Sequence, residues 1–195
     1  MPFMTNHFPK DLGCGEAEFI SVMTLKATLI KRYTGIDRSK QGPETGAQNL
    51  DATGIKANLL QGDHTDFKAL VADKKFRVII IGFSLYQLQA EEKVRFFEDC
   101  RDVLRKKGRV LVYDVMRRHH EERDEYLERY YQHAKENWPT LNAQALEQLA
   151  RYINISDHPE SLESLTDIAR KAGFRRAELL YMDSTGFHQL IEFVQ

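Results

Sequence analysis

The chain has 195 residues, 42% hydrophobic and 29% charged, a composition typical of a folded protein with one full core. Its 28 basic and 29 acidic residues leave a formal net charge of −1, which excludes the global positive field that attracts nucleic acid. Two cysteines and the shortness of the longest apolar run, Val78–Phe83, argue against a disulfide scaffold and a membrane span, so we expect a cytoplasmic protein.

The chain opens on a predicted strand and a glycine turn. Phe8–Leu12 is the first strand, although Pro9 removes a ladder hydrogen bond and belongs at a sheet edge or a strand start. Residues 11–17 then read Asp-Leu-Gly-Cys-Gly-Glu-Ala, in which two glycines spaced by one residue allow a tight turn into a helix. Such a turn presents the unpaired N–H groups of a helix N-terminus to a ligand above the glycines.

A helix and an acidic strand end follow the turn. The spacing of Phe19, Met23, Ala27 and Ile30 predicts a helix over Glu16–Lys31. Arg32–Ile36 is the predicted second strand, and Asp37 follows it, 22 residues after Gly15. This spacing suits a carboxylate that accepts hydrogen bonds from the hydroxyls of a ribose.

Strands and helices continue to alternate through the middle of the chain. Ala57–Gln61 is the predicted third strand, and Phe76–Phe83 is the apolar run of a strand buried on both faces. Glu91–Lys107 has its acids first and its bases last, which predicts a helix with Gly108 at its C-cap. Arg109–Val115 is then the fifth strand, and the alternation predicts a doubly wound parallel sheet.

The pattern changes after the fifth strand. A segment at about 117–157 has no strand-like stretch, and its aromatic residues recur at helical spacing, so we expect a helical insertion in a single domain over 1–195. The insertion could form a lid over a substrate, pack on the sheet or form the face of a homodimer. Ser161–Ala172 is a predicted helix, and residues 178–182 and 188–194 are two last strands, antiparallel to each other.

Three segments, taken in order, resemble the first three motifs of the class I S-adenosylmethionine-dependent methyltransferases. They are Asp-Leu-Gly-Cys-Gly at 11–15, Gly-Ile-Asp-Arg-Ser at 35–39 and Gln-Gly-Asp at 61–63. The resemblance implies a Rossmann-like α/β fold: a doubly wound, mostly parallel seven-stranded sheet with its last strand antiparallel. It also implies S-adenosylmethionine as the cofactor and no metal.

The resemblance assigns cofactor contacts to the carboxyl ends of the strands. Asp11 would hold the turn and the amino group of the methionine moiety, Asp37 the ribose hydroxyls, and Asp63 the adenine amino group. The backbone that follows the fourth strand would pass close to the sulfonium. The complete set of expected cofactor-binding residues is Asp11, Gly13, Cys14, Gly15, Asp37, Arg38, Asp63, His64, Phe83 and Ser84.

The sequence departs from the family pattern in three places. Ala17 replaces the third glycine of the turn, so we expect an added methyl group near the methionine carboxylate. Gly82 stands where many relatives have Asp or Asn, which puts amino-group methylation through an acidic motif in doubt. Only ten residues precede Asp11, so we expect the N-terminal cap helices of the family to be missing.

Methyl transfer is an in-line displacement in which the protein mainly positions the reactants, and a general base helps if the acceptor must lose a proton. The candidates for this base at the expected edge of the sheet are His64, Tyr86 and His119, with His120 beside the last. Arg117, which precedes these two histidines, begins a basic segment that could bind a carboxylate or a phosphate of the substrate.

Several functions are compatible with these motifs. We expect a methyltransferase with a small-molecule acceptor, and neither nucleic acid nor a membrane as partner. One alternative is a tRNA-modification enzyme of the carboxy-S-adenosylmethionine synthase type, which the segment from Asp157 to Phe187 resembles loosely. Another is a non-catalytic module that binds the cofactor or dimerises. A dinucleotide site is disfavoured because Glu18 replaces the glycine that packs beside a pyrophosphate.

Overall fold

The computed structural model describes residues 9–26, 30–71 and 75–195. The strands within these ranges are β1 Pro9–Leu12, β2 Arg32–Asp37, β3 Lys56–Gln61, β4 Phe76–Gly82, β5 Leu104–Arg117, β6 Glu160–Ser161, β7 Arg176–Met182 and β8 His188–Val194. The helices are α1 Glu18–Lys26, α2 Gln41–Asp51, α3 Phe67–Val71, α4 Ala90–Val103, α5 Arg123–Asn137, α6 Ala143–Ser156 and α7 Leu162–Lys171. A single 3₁₀ turn, Leu85–Gln87, follows β4.

The sheet has the strand order β3-β2-β1-β4-β5-β8-β7, with the short β6 beside β5. Strands β1 to β5 run parallel, whereas β8 lies between β5 and β7 and is antiparallel to both. This topology confirms the predicted Rossmann-like fold. Because β1 lies between β2 and β4, the carboxyl ends of these three strands meet at one edge, where open α/β sheets bind their ligands.

Helices cover the two faces of the sheet, and each face has its own hydrophobic core. Helices α3, α4 and α7 pack on one face against buried residues that include Phe97 and Ile79. On the other face, α1 and α2 contribute Ile20 and Leu50 to a smaller cluster. The side chains of β1 alternate between these cores, so that Leu12 enters the first and Asp11 lies beside Tyr33 of the second.

Several predicted details of the elements were wrong. Phe19, predicted on the buried face of α1, is 46% exposed, and Ile20 is buried instead. The buried face of the helix therefore begins one residue later than predicted. Ala27 lies outside the described residues, as does the side chain of Met23. Helix α4 ends at Val103 because Leu104 already pairs with Phe76 in the sheet, and Lys107 rather than Gly108 has a positive φ there.

The segment after β5 forms the two helices that the sequence predicts. Their apolar faces meet Val115 and Phe187 in a third cluster, to which α5 contributes Tyr126 and α6 contributes Ile153. Arg123 of α5 donates to the carbonyl oxygens at the end of α6, which fixes the two helices to each other. Among the residues that the structure describes, no helix combines the length and the apolar character needed to cross a bilayer.

Candidate active site

The glycine turn is hydrogen-bonded to the end of β2. The backbone N–H groups of Gly13 and Cys14 both donate to the carbonyl oxygen of Ile36, at 2.8 and 3.0 Å. Gly13 has φ +78°, and a Cβ added to it would lie 2.3 Å from Ser84 Oγ, so the turn and the loop after β4 approach each other at a glycine. Gly15 has φ +49°, and a Cβ added there would meet nothing within 4 Å. Space for a ligand therefore opens directly beside Gly15.

Asp37, at the end of the neighbouring strand β2, stabilises the turn by accepting hydrogen bonds. Its Oδ2 accepts a hydrogen bond from Gly15 N at 2.8 Å, and its Oδ1 accepts one from Ser39 N at 2.8 Å. A carboxylate has about four lone-pair positions. Two therefore remain for other donors, on a side chain that is in contact with Gly15.

Asp11 lies in the core beneath the turn. Its side chain is 4% exposed and accepts a hydrogen bond from the Tyr33 hydroxyl at 2.9 Å. Burial, with a smaller contribution from the charge of Asp37, raises the pKa of Asp11 to about 7. Cys14 is also buried, and burial raises the pKa of its thiol to about 12, so the side chain is an unreactive core residue.

Burial of Asp11 predicts a pH-dependent stability. The unfolded carboxyl group loses its proton near pH 4, whereas the folded one keeps it to about pH 7, so the free energy of unfolding decreases as pH rises between these values. A shift of three pKa units corresponds to a change of about 4 kcal/mol in the free energy of unfolding. We therefore expect Asp11→Asn, which can still accept from Tyr33, to become more stable relative to the parent between pH 5 and pH 8. Urea denaturation at both pH values measures this difference.

The control for this prediction is Asp51→Asn at an exposed position of α2, which should shift stability equally at both pH values. A difference between Asp11→Asn and the parent that does not change with pH would show that Asp11 is ionised throughout. Comparison with the parent at each pH cancels the opposite contribution of His64, whose pKa is lowered by burial.

Ala17 does not reach the ligand space, which corrects the expectation that its methyl group lies at the methionine carboxylate. The residue has φ +55° and is fully buried in the core between the turn and α2. A Cβ added to Gly46 would lie 3.2 Å from Ala17 Cβ. The methyl group therefore packs against α2, and the strain of a left-handed alanine is retained in the turn.

The next strand end carries Asp63 and His64. Asp63 Oδ2 forms an ion pair with Arg38 at 2.6 Å, and its Oδ1 accepts from the backbone N and the hydroxyl of Thr65. His64 is 7% exposed, and its Nε2 has no hydrogen-bond partner among the residues that the structure describes. Burial lowers the pKa of His64, which favours a neutral imidazole. An unsatisfied ring nitrogen thus lies beside the acidic end of β3.

The loop after β4 is held in a strained conformation. Phe83 has φ +49°, which is rare for a bulky residue, and is 47% exposed. Its ring contacts those of Tyr113 and His188, with centroid separations of 5.1 and 5.5 Å. The loop is fixed from below by Asp114, whose Oδ2 accepts from Leu85 N and Tyr86 N at 2.9 and 3.1 Å.

Sequence reasoning missed Asp114. Its side chain is 1% exposed, and burial raises the pKa of Asp114 to about 7 although three backbone N–H groups donate to it. The available signal was an acid inside the apolar run of the fifth strand, since a buried carboxylate needs partners that only a neighbouring loop can supply.

The predicted catalytic residues Tyr86 and His119 each have a side-chain partner in the chain. The Tyr86 hydroxyl accepts from Gln87 Nε2 at 3.3 Å, and burial raises the pKa of Tyr86 above its usual range. His119 is exposed and pairs with Glu163 at the start of α7, 3.0 Å away. His119 stacks against His120, which has φ +59°.

Arg117, the first residue of the basic segment at the end of β5, is held by backbone carbonyl groups. The Arg117 guanidinium donates to the carbonyl oxygens of Pro159 and Glu121, both at 2.8 Å, and so fixes the two ends of the helical insertion. Arg117 and His119 also line a groove of about 390 Å³ between α7 and the β7–β8 turn, where Gln189 Oε1 has no partner among the described residues.

A family profile described as a methyltransferase domain matches residues 10–108, just over half of the chain. The chain belongs to the class I S-adenosylmethionine-dependent methyltransferases. The match spans the glycine turn, Asp37, Asp63 and the loop after β4 of this methyltransferase.

Solved structures with the same fold include other methyltransferases. The S-adenosylmethionine-dependent methyltransferase SibL, in its apo form, has a TM-score of 0.68 and 15% identity, over 97% of this chain and 50% of that chain. The mitomycin 7-O-methyltransferase MmcR has a TM-score of 0.65 and 16% identity, over 97% of this chain and 49% of that chain. PigF, solved with S-adenosylhomocysteine, has a TM-score of 0.66 and 15% identity, over 100% and 52%.

The methyltransferase chain therefore spans about half the length of these solved proteins. At such identities the likeness establishes the fold alone. No curated protein sequence matches the chain.

The cofactor of this class is S-adenosylmethionine, and the residues present fit it. The ligand needs a turn without Cβ atoms, hydrogen-bond acceptors for two ribose hydroxyls and an acceptor for the adenine amino group. The open space at Gly15, the two remaining lone-pair positions of Asp37 and the carboxylate of Asp63 meet these needs.

Proposed function

We propose that this chain catalyses transfer of a methyl group from S-adenosylmethionine to a small-molecule acceptor. The observation that carries the proposal is the open space at Gly15, bordered by an Asp37 carboxylate that already organises the turn. Family membership supports the cofactor, and the printed name of MmcR, a mitomycin 7-O-methyltransferase, supports an acceptor of small-molecule size.

The cofactor contacts follow from the strand ends. Asp37 would accept from the two ribose hydroxyls, and the carboxylate of Asp63 would accept from the adenine amino group with His64 beside it. The unpaired N–H groups at the start of α1 would face the methionine carboxylate. Asp11 lies beneath the turn, so its contribution would be to hold β1 and β2 together through Tyr33.

When bound, the cofactor supplies an electrophilic methyl carbon that needs no further activation. The protein then has to align an acceptor atom with this carbon and exclude competing water. Asp114 holds the Phe83–Tyr86 loop that would flank the acceptor, and Phe83 offers an exposed ring at that position. The insertion α5–α6 would cover the acceptor from above, as its predicted role as a lid requires.

Titration calorimetry with S-adenosylmethionine and S-adenosylhomocysteine tests cofactor binding. We expect dissociation constants well below about 1 mM, which corresponds to about 4 kcal/mol of binding free energy. Absence of binding to both ligands at that concentration would contradict the proposal and favour a module that does not use the cofactor.

A second assay separates methyl transfer from carboxy-S-adenosylmethionine synthesis. The protein is incubated with S-adenosylmethionine carrying a labelled methyl group, together with a panel of hydroxyl, amine and thiol acceptors or, in a parallel reaction, with a carboxylic acid that can donate its carboxyl group, and products are identified by mass spectrometry. We expect a methylated small molecule and S-adenosylhomocysteine in equal amounts. A carboxylated sulfonium product, with no methylated acceptor, would contradict methyl transfer.

A further inference from the structure

The turn between β7 and β8 carries a histidine–aspartate pair. His188 Nδ1 lies 2.8 Å from Asp183 Oδ2, and Asp183 Oδ1 accepts from the backbone N of His188 at 3.2 Å. Thr185 Oγ1 donates to Asp183 Oδ2 at 2.7 Å. Three donors therefore hold this carboxylate in one orientation.

The pair defines which nitrogen of His188 is available. Partial burial raises the pKa of Asp183, but the hydrogen bonds from His188 and Thr185 outweigh it and lower the pKa to about 2, so the group is a carboxylate at neutral pH. A carboxylate accepts only, so Nδ1 must carry the proton of the neutral ring, and Nε2 carries the lone pair. The structure shows no hydrogen bond from Nε2 to a described residue, and the His188 side chain is 27% exposed.

The pair lies at the edge of the sheet where the cofactor turn lies. β8 is antiparallel to β5, and His188, its first residue, pairs with Val115 near the carboxyl end of β5. The His188 ring lies 5.5 Å from the Phe83 ring and 6.4 Å from the Tyr113 ring, measured between centroids. The residue after Phe83 is Ser84, whose Oγ lies 2.3 Å from the position that a Gly13 Cβ would take. The imidazole of His188 therefore contacts the ring of Phe83, which belongs to the loop that approaches the glycine turn.

We propose that His188 is the general base for a hydroxylated aromatic acceptor, with Asp183 as its positioning residue, an inference that rests on the proposed methyl transfer. The exposed ring of Phe83 and the half-buried ring of Tyr113 give a planar acceptor edge and face contacts. Gly82 offers no side chain to bind an amino group, whereas a neutral imidazole suits a hydroxyl proton.

The proposed step balances as follows. The acceptor oxygen forms a bond to the methyl carbon while the carbon–sulfur bond breaks, and the electron pair of that bond remains on sulfur as the thioether. The proton of the acceptor hydroxyl moves to Nε2 of His188, and Asp183 stabilises the resulting imidazolium through Nδ1–H. The proton then passes from the exposed ring to solvent.

Other groups near the expected site suit this step less well. His64 lies beside Asp63 at the end of β3, where the adenine is expected. His119 is paired with Glu163 on the other side of β5, at the start of α7. The Tyr86 phenol, with its raised pKa, is a poor base at neutral pH.

The test compares His188→Ala and Asp183→Asn with the parent, using catechol and simple phenols as acceptor probes. We expect methylated phenols from the parent and a loss of about 100-fold or more in kcat for His188→Ala, the usual contribution of a general base. The dissociation constant for S-adenosylhomocysteine should stay within about twofold of the parental value, which corresponds to a change in binding free energy smaller than RT. Added imidazole should restore part of the lost rate. His133→Ala on α5 is the histidine control.

A second measurement does not depend on activity. Nitrogen-15 NMR of the His188 ring should show a protonated Nδ1 and an unprotonated Nε2 in the parent, and a mixture of tautomers in Asp183→Asn. The same variant should lose kcat by tenfold or more with little change in KM, because the acceptor site stays intact while the tautomer is no longer fixed.

Failure of this inference is distinguishable from failure of the proposed function. If the parent does not bind S-adenosylhomocysteine, the proposed methyl transfer is contradicted. If the parent binds it but methylates no phenol, or if His188→Ala keeps the parental kcat, the assignment of His188 is overturned. Loss of activity that imidazole does not restore, with the parental tautomer unchanged in Asp183→Asn, would assign the pair to closing the β7–β8 turn only.

Discussion

We expect replacement of Asp37 with alanine to weaken S-adenosylhomocysteine binding by about 100-fold or more and to leave the chain folded. Two hydrogen bonds from ribose hydroxyls to a carboxylate contribute about 1.5 kcal/mol each, and both are lost. The variant also loses the acceptors for Gly15 N and Ser39 N, so the turn becomes less well ordered at the same time. Calorimetry measures the affinity, and circular dichroism with urea denaturation measures the fold.

Two variants make this result specific. Asp51→Ala removes an exposed carboxylate from the end of α2 and should retain the parental affinity. Asp37→Asn keeps one oxygen acceptor without the charge and should fall between the parent and Asp37→Ala. Equal affinities of Asp37→Ala and the parent would contradict the cofactor site at this strand end, because no other described acid lies against Gly15 N.

Gly15→Ala is expected to separate binding from stability. Both Gly15 and Gly54 have positive φ, +49° and +72°, and a Cβ at either position meets nothing within 4 Å. An alanine at each should therefore cost about 1 kcal/mol of stability through left-handed strain. Only at Gly15 does the added methyl group enter the space proposed for the ligand. There we expect a loss of affinity of about 30-fold, equivalent to the ~2 kcal/mol of an overpacked site.

The matched pair decides between two explanations of any loss. If Gly54→Ala and Gly15→Ala lose the same stability and only Gly15→Ala loses affinity, the effect is steric and local. If both retain the parental affinity, the space beside Gly15 is not where the ligand lies. Thermal unfolding and calorimetry on the same preparations give both quantities.

Much of the glycine turn and of its contact with Asp37 could be predicted, because both depend on the backbone preferences of residues close together in the sequence or at strand ends. Gly13 and Gly15 take positive φ where the spacing of the two glycines demanded a turn, and Asp37 lies at the end of β2, against that turn. The alternation of strands and helices also predicted the mostly parallel, doubly wound sheet that the structure has.

The predictions that failed concern which way a side chain points. Ala17 was expected beside the ligand and lies in the core against Gly46, because the left-handed turn directs its methyl group toward α2. Phe19 was expected on the buried stripe of α1, but its side chain is 46% exposed and Ile20 is buried instead. Composition and spacing do not encode these directions, which depend on the packing of neighbouring elements.

The sequence alone determined the fold class, the glycine turn and the acidic strand ends, because each depends on backbone preferences and on a periodicity that neighbouring residues share. Tertiary structure alone decided the contacts between residues far apart in the chain. Asp114 meets the loop at Leu85 29 residues away, and Phe83 meets His188 from a different strand. Such pairs form because β4, β5 and β8 lie side by side, and strand order in space differs from strand order in the chain.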